Sequence, residues 1–115
     1  GQALKAMVES RKAAGKRIIG YGASARSSTL LNFCGIDAQH LDVVADRAPL
    51  KHNTYTAGTN IPIVSPKDAF ARQPDVVLLL GWNFRDEILG QIAAEHGWHG
   101  EVLVPLPGDP VVVTL

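Results

Sequence analysis

Gly20-Tyr21-Gly22-Ala23-Ser24-Ala25, directly after Ile18-Ile19, constrains the fold of this chain more than any other stretch. It reads G-x-G-x-x-A, a strand that breaks into a glycine turn and then opens a helix. That arrangement aims backbone N–H groups and the positive end of a helix dipole at one spot, where a phosphate can sit. Asp46, at the end of the next apolar run, completes the outline of a nucleotide-binding α/β unit. The competing reading is a turn of small residues that packs closely and holds nothing.

The length of 115 residues fits one domain, 1–115, with one core. Eleven basic residues balance eleven acidic ones, so net charge offers no case for nucleic acid or an anionic membrane. No apolar run reaches the length of a membrane span, and no signal peptide is visible. A lone cysteine, Cys34, precludes an internal disulfide or a cysteine-rich zinc site, and a reducing, cytoplasmic setting is expected. The first residues already carry a helical pattern and no initiator Met, so a fragment of a longer protein is expected.

Residues 3–14 place Leu4, Met7 and Val8 on one face of an amphipathic helix that Gly15 stops. A strand over 17–21 follows. Ser24 caps the next helix, which carries Leu30, Leu31 and Cys34 and ends at Gly35. Residues 41–45 form a second strand covered on both faces. Residues 47–60, rich in Pro, Asn, Thr and Gly, read as a long loop of the kind that often carries function. A short strand over 61–64 contains Pro62, which points to the sheet edge. Ser65-Pro66 starts a third helix. The most apolar strand, 75–80, is placed centrally, a fourth helix ends near His96, and a strand covers 101–104. Val111-Val112-Val113 offers a further edge strand. Alternating strands and helices with right-handed crossovers predict an α/β fold, a parallel sheet with helices on both faces. The ligand site then lies at the carboxyl ends of the strands.

Gly20, Gly22 and Ala23, with the amides up to Arg26, are the expected phosphate cradle. Arg26 and Ser28, in the first turns of the helix, suit a diphosphate. Solvation of Arg26 and capping by the serines explain the same residues without a ligand. Asp46 is placed to accept ribose or sugar hydroxyls, or else caps the turn before Pro49. Arg47, Lys51 and His52 form a small basic group in the long loop. Trp82 and Asn83 follow the central strand on the ligand side, suited to stack on and hydrogen-bond a ring. His40, His96 and His99 lack metal spacing. Asp86 and Glu87 read as first-turn acids, and Cys34 as a buried structural thiol. No nucleophile, base and orienting group converge in the sequence. The residues by themselves give a nucleotide-binding module.

Four ordered blocks extend this reading. Residues 20–33 (GYGASARSSTLLNF), 46–52 (DRAPLKH), 58–63 (GTNIPI) and 80–84 (LGWNF), with Glu87-Ile88, resemble the C-terminal domain of the sugar C-methyltransferases. These are S-adenosylmethionine-dependent enzymes that methylate a carbon of a nucleotide-linked deoxysugar. The resemblance covers nearly the whole chain. It implies a three-layer Rossmann-like domain that helps hold the nucleotide-sugar, through Gly20, Tyr21, Gly22, Ala23, Ser24, Arg26, Ser28, Asp46, Lys51, His52, Trp82 and Asn83. It also implies that methyl transfer, the S-adenosylmethionine site and a zinc site belong to other domains of a longer chain, the central methyltransferase domain being this one's partner. No catalytic residue, metal ligand or cofactor is then expected in this domain, nor a nucleic-acid or membrane partner. The family usually carries Lys-Gly where this chain has Arg26-Ser27, and commonly Pro where it has Ser24. Two other readings fit the glycine turn: an NAD(P)-binding oxidoreductase domain, and a non-catalytic interaction module.

Overall fold

A computed structural model describes residues 2–81, 85–105 and 109–115. Helix α1 (Gln2–Ala13) leads into β1 (Ile18–Tyr21), α2 (Ala25–Cys34) and β2 (Val44–Ala45). A 3-10 turn (Pro49–Lys51) and β3 (Thr54–Tyr55) follow, then β4 (Pro62–Val64), α3 (Pro66–Ala71) and β5 (Val76–Leu79). Helix α4 (Arg85–His96), β6 (Glu101–Val104) and β7 (Val111–Thr114) complete the chain.

The strands form one sheet in the order β3-β4-β2-β1-β5-β6-β7. β4, β2, β1, β5 and β6 run parallel, as the alternating pattern predicts. The two edge strands depart from it: β3 is antiparallel to β4, and β7 to β6. In each case the two paired strands are consecutive in the chain, a connection that antiparallel pairing permits without a crossover helix. The glycine-turn strand β1 is the middle one, with β5 beside it. Pro62 lies one strand in from the edge, in β4.

The strand order reverses at β1, with β2 on one side and β5 on the other. Crossovers there send helices to opposite faces and leave a crevice at the carboxyl ends of these strands. On one face, Leu4 and Val8 of α1 and Leu31 and Cys34 of α2 pack on Ile18, Val44, Val76 and Leu78. On the other, Ala69 of α3 and Ile92 of α4 pack with Ile19, Tyr21, Val77, Leu79 and Trp98. Three layers result. Every residue of β1, β2 and β5 is buried, which explains why these strands show no polar alternation.

Local signals set the helix ends. Ser24 accepts from the Ser27 amide at the start of α2, and Gly35, at φ +69°, closes it. Ser65 accepts from Asp68 ahead of Pro66. Among the described residues no helix is long and apolar enough to cross a membrane.

Candidate functional site

The region 47–60 is not an open loop. Thr54-Tyr55 pairs with Pro62-Ile63, and Thr56 and Ile61 bond backbone to backbone at 2.9 Å, making a hairpin. Its turn is closed by the buried Thr56 and Thr59 hydroxyls, 2.5 Å apart. Asn32 of α2 ties it down, donating through Nδ2 to Ala57 O at 3.0 Å and to Ser28 O at 2.7 Å. Gly58, at φ +79°, passes so close to Asn32 that a Cβ there would lie 2.5 Å from its side chain. The hairpin therefore stands alongside α2, its turn tied to the last turn of the helix and its strands facing the amino end.

Between them lies a cleft of about 230 Å3, lined by Ala23, Ser24, Ala25 and Ser28 on one side and Lys51, Tyr55, Thr56, Ala57 and Ile63 on the other. The structure thus brings together Ala23, Ser24, Ser28 and Lys51 from the residues singled out in the sequence. The hairpin wall, Tyr55 above all, was not anticipated. Thr54-Tyr55-Thr56, a glycine turn and Ile61-Pro62-Ile63 are the hairpin's own signature in the sequence.

The glycine turn is held differently from expectation. Gly20 and Gly22 donate to Val43 and Ala45 carbonyls at 2.9 and 2.7 Å, and Ala23 donates to Asp46 Oδ2 at 2.7 Å. None of these three amides is open to a phosphate. Nor do the glycines make room for one. A Cβ on Gly20 would meet Leu80 and Val44 side chains at 3.1 Å, and one on Gly22, at φ +100°, would meet Gly81 N at 3.2 Å. The glycines serve close packing within the protein. The Ser24, Ala25 and Arg26 amides find no acceptor among the described residues, and they sit at the positive end of α2. Ser27, 2% exposed, secures the turn to the helix by donating from Oγ to Gly22 O at 2.7 Å.

Asp46 is engaged with the protein through both oxygens. Besides Ala23, it accepts from the Ala48 amide through Oδ1 at 2.8 Å, and Lys51 Nζ lies 3.6 Å from Oδ2. Lys51 also donates to Ala23 O. His52 Nε2 is 2.6 Å from the Asp46 carbonyl, so this ring steadies the strand end and does not line the cleft. The loop-capping reading of Asp46 is the one its geometry matches.

Tyr21 belongs to the opposite face. Its side chain is 4% exposed, and its ring packs 6.3 Å from Phe70. Burial pushes its phenol up, with the Arg47 guanidinium opposing. The hydroxyl has no hydrogen-bond partner among the described residues. Arg47 leaves the basic group and pairs with Glu95 of α4, NH1 to Oε2 at 2.6 Å. Arg26 is exposed and outside the cleft lining. Trp82 and Asn83 lie outside the described residues. Cys34 is buried, which pushes its thiol up. Among the described residues no three His, Cys, Asp or Glu side chains gather as metal ligands.

A family model described as the C-methyltransferase C-terminal domain matches residues 1–107. The C-methyltransferase NovU of Streptomyces niveus is 36% identical over 111 residues, which are 95% of this chain but 26% of that protein's length. Among solved structures, UDP-D-quinovosamine 4-dehydrogenase from Vibrio fischeri has a TM-score of 0.59 and 22% identity, over 87% of this chain and 94% of that one. At that identity the likeness shows a shared Rossmann-like fold and nothing of function.

Proposed function

Because the chain belongs to the C-methyltransferase C-terminal domain family, we propose that it is the part of such an enzyme that grips a nucleotide-linked keto-deoxysugar by its diphosphate. The cleft beside α2 carries this reading. It joins the amino end of a ten-residue helix, the hydroxyl-bearing Ser24 and Ser28, and the Lys51 ammonium. A diphosphate is the ligand group such donors suit. Tyr55, exposed on the opposite wall, offers a face for a base or sugar ring. Trp82 and Asn83 remain candidates for the sugar end on sequence grounds alone. In this reading Gly20, Tyr21, Gly22 and Asp46 shape the site from within, and Ala23, Ser24, Ser28 and Lys51 face the ligand.

Carbon methylation requires a base to take the proton beside a keto group, and a bound methyl donor. Among the described residues no His, Asp or Glu lines the cleft, and we assign the transfer and its S-adenosylmethionine and zinc sites to a partner domain of a longer, cytoplasmic chain. This 115-residue chain is then inert as a methyltransferase.

Calorimetric titration with UDP-glucose, UDP and NADH tests the reading. Saturable binding of the UDP compounds, weakened about tenfold by Lys51→Met, on the order of 1.4 kcal/mol, is the expected result. Binding of NADH with indifference to UDP compounds favours an oxidoreductase domain. Silence toward all three favours a non-catalytic interaction module.

A further inference from the structure

In a dinucleotide fold, two features hold the cofactor. The turn amides face the pyrophosphate, and a carboxylate after the second strand takes the adenosine ribose hydroxyls. Asp46 stands at that second position, directly after β2. Here the two features are bonded to each other, Asp46 Oδ2 accepting the Ala23 amide at 2.7 Å. The other oxygen is taken by the Ala48 amide at 2.8 Å. Lys51 spans the pair, donating to Ala23 O while its Nζ lies 3.6 Å from Oδ2. The Asp46 side chain is 13% exposed, so the bonds are shielded from water.

We propose that the Asp46–Lys51 latch on Ala23 is the determinant of ligand class at this site, barring dinucleotides and leaving the cleft beyond it to a single nucleoside diphosphate. The proposal rests on the function inferred above for the cleft. A pyrophosphate reaching for the Ala23 amide meets a carboxylate already bound there, of the same charge sign. An adenosine ribose finds both Asp46 oxygens in use, and taking them leaves the Ala23 and Ala48 amides unpaired. The cleft runs from Ala23 toward Ser28 and the hairpin, with Lys51 on its wall and Asp46 outside its lining. Specificity here comes from an element set against the wrong ligand, together with the attraction for the right one.

Hydrogen exchange and titration of the 115-residue chain test it together. Without ligand, the Ala23 amide is expected to be protected. Asp46→Ser, which removes the charge and draws the acceptor oxygen one bond back from the Ala23 amide, lowers that protection at least tenfold while the Val77 and Leu78 amides of β5 stay protected. Binding of NADH and of inorganic pyrophosphate strengthens at least threefold in Asp46→Ser. Should that variant not fold, Asp46→Asn keeps an acceptor, removes the charge, and is expected to strengthen pyrophosphate binding in the same direction. An Ala23 amide that exchanges freely in the unsubstituted chain overturns the proposal. So does NADH binding to the unsubstituted chain as tightly as UDP, or Asp46 variants with unchanged or weaker anion affinity. If the unsubstituted chain ignores UDP-glucose while Asp46→Ser still gains NADH affinity, the proposed function fails and the latch stands.

Discussion

Tyr55 is 64% exposed on a two-residue edge strand, a place where a large ring is held by little of its own protein. Its value lies in the open cleft beside it. Stacking of a base on an aromatic ring contributes about 1–3 kcal/mol. Tyr55→Ala is therefore expected to weaken UDP binding at least about fivefold, taking the low end of that range, and to leave inorganic pyrophosphate affinity unchanged. Calorimetry with both probes separates loss of a ring contact from a general loss of the site. Gly22 carries a different kind of constraint. At φ +100°, with Gly81 N 3.2 Å from the place a Cβ would take, it is strained by any side chain and has backbone as its neighbour. Gly22→Ala should cost about 1–3 kcal/mol of stability, read from urea unfolding. Gly15→Ala is the control: its φ of +79° is also left-handed, but a Cβ there meets nothing within 4 Å. Its cost should lie at the low end, about 1 kcal/mol.

Among the elements, α2 does most to place the site, because it presents the cleft-facing amides and anchors the hairpin opposite. Removing the Asn32 tie with Asn32→Ala takes away both Nδ2 bonds while leaving the helix cap at Ser24 intact. Overall stability should fall by about 1 kcal/mol or less, since Asn32 is exposed. UDP affinity should drop about threefold, through loss of preorganisation at the cleft wall. Faster amide exchange at Asn60 and Ile61, with α2 still protected, locates the effect in the hairpin. The ends of the helices were legible in the sequence because each is a local event: Ser24, Gly35 and Ser65-Pro66 need only near neighbours. The buried strands were legible from their apolar runs. The hairpin was harder to read because β3 has two residues and pairs across a turn with a strand containing Pro62. The latch was invisible because Asp46 and Ala23 are 23 residues apart and meet only after β1 and β2 pair. Tyr21 was misdirected for a related reason. All four residues of β1 are buried, so no polar partner marks which face its side chain takes.

Across the molecule, α1 is held to its face of the sheet by charge as well as by Leu4 and Val8. Arg11 holds Glu101 at the start of β6 in a two-pronged contact, Nε to Oε1 and NH2 to Oε2, both 3.2 Å, with Lys16 Nζ 3.8 Å away. The hydrogen bonds from Arg11 pull the Glu101 carboxyl below its ordinary value, against a smaller opposing effect of burial. A carboxylate whose folded pKa is depressed binds protons more readily in the unfolded chain. Its contribution is therefore complete above the ordinary glutamate value, about 4.3, and is lost as pH falls through the lowered folded value. With side chains 19% and 32% exposed, solvent screening keeps the pair to about 1 kcal/mol or less. Glu101→Gln should accordingly melt below the unsubstituted chain at pH 7, by a few degrees. The gap should begin to narrow as pH falls below about 4 and close only below the lowered folded value, where both chains carry a neutral side chain at this position. It should also shrink in about 1 M salt, where the screening length is near 3 Å. A gap that is constant from pH 7 to pH 3 would mean that Glu101 acts through packing and not through its charge. The Arg47–Glu95 pair supplies the comparison. Arg47 pulls Glu95 down through a hydrogen bond of the same kind, but the side chains are 52% and 43% exposed. Glu95→Gln should leave the melting temperature close to unchanged at every pH. A larger effect there than at Glu101 would reverse the ranking that burial gives the two pairs.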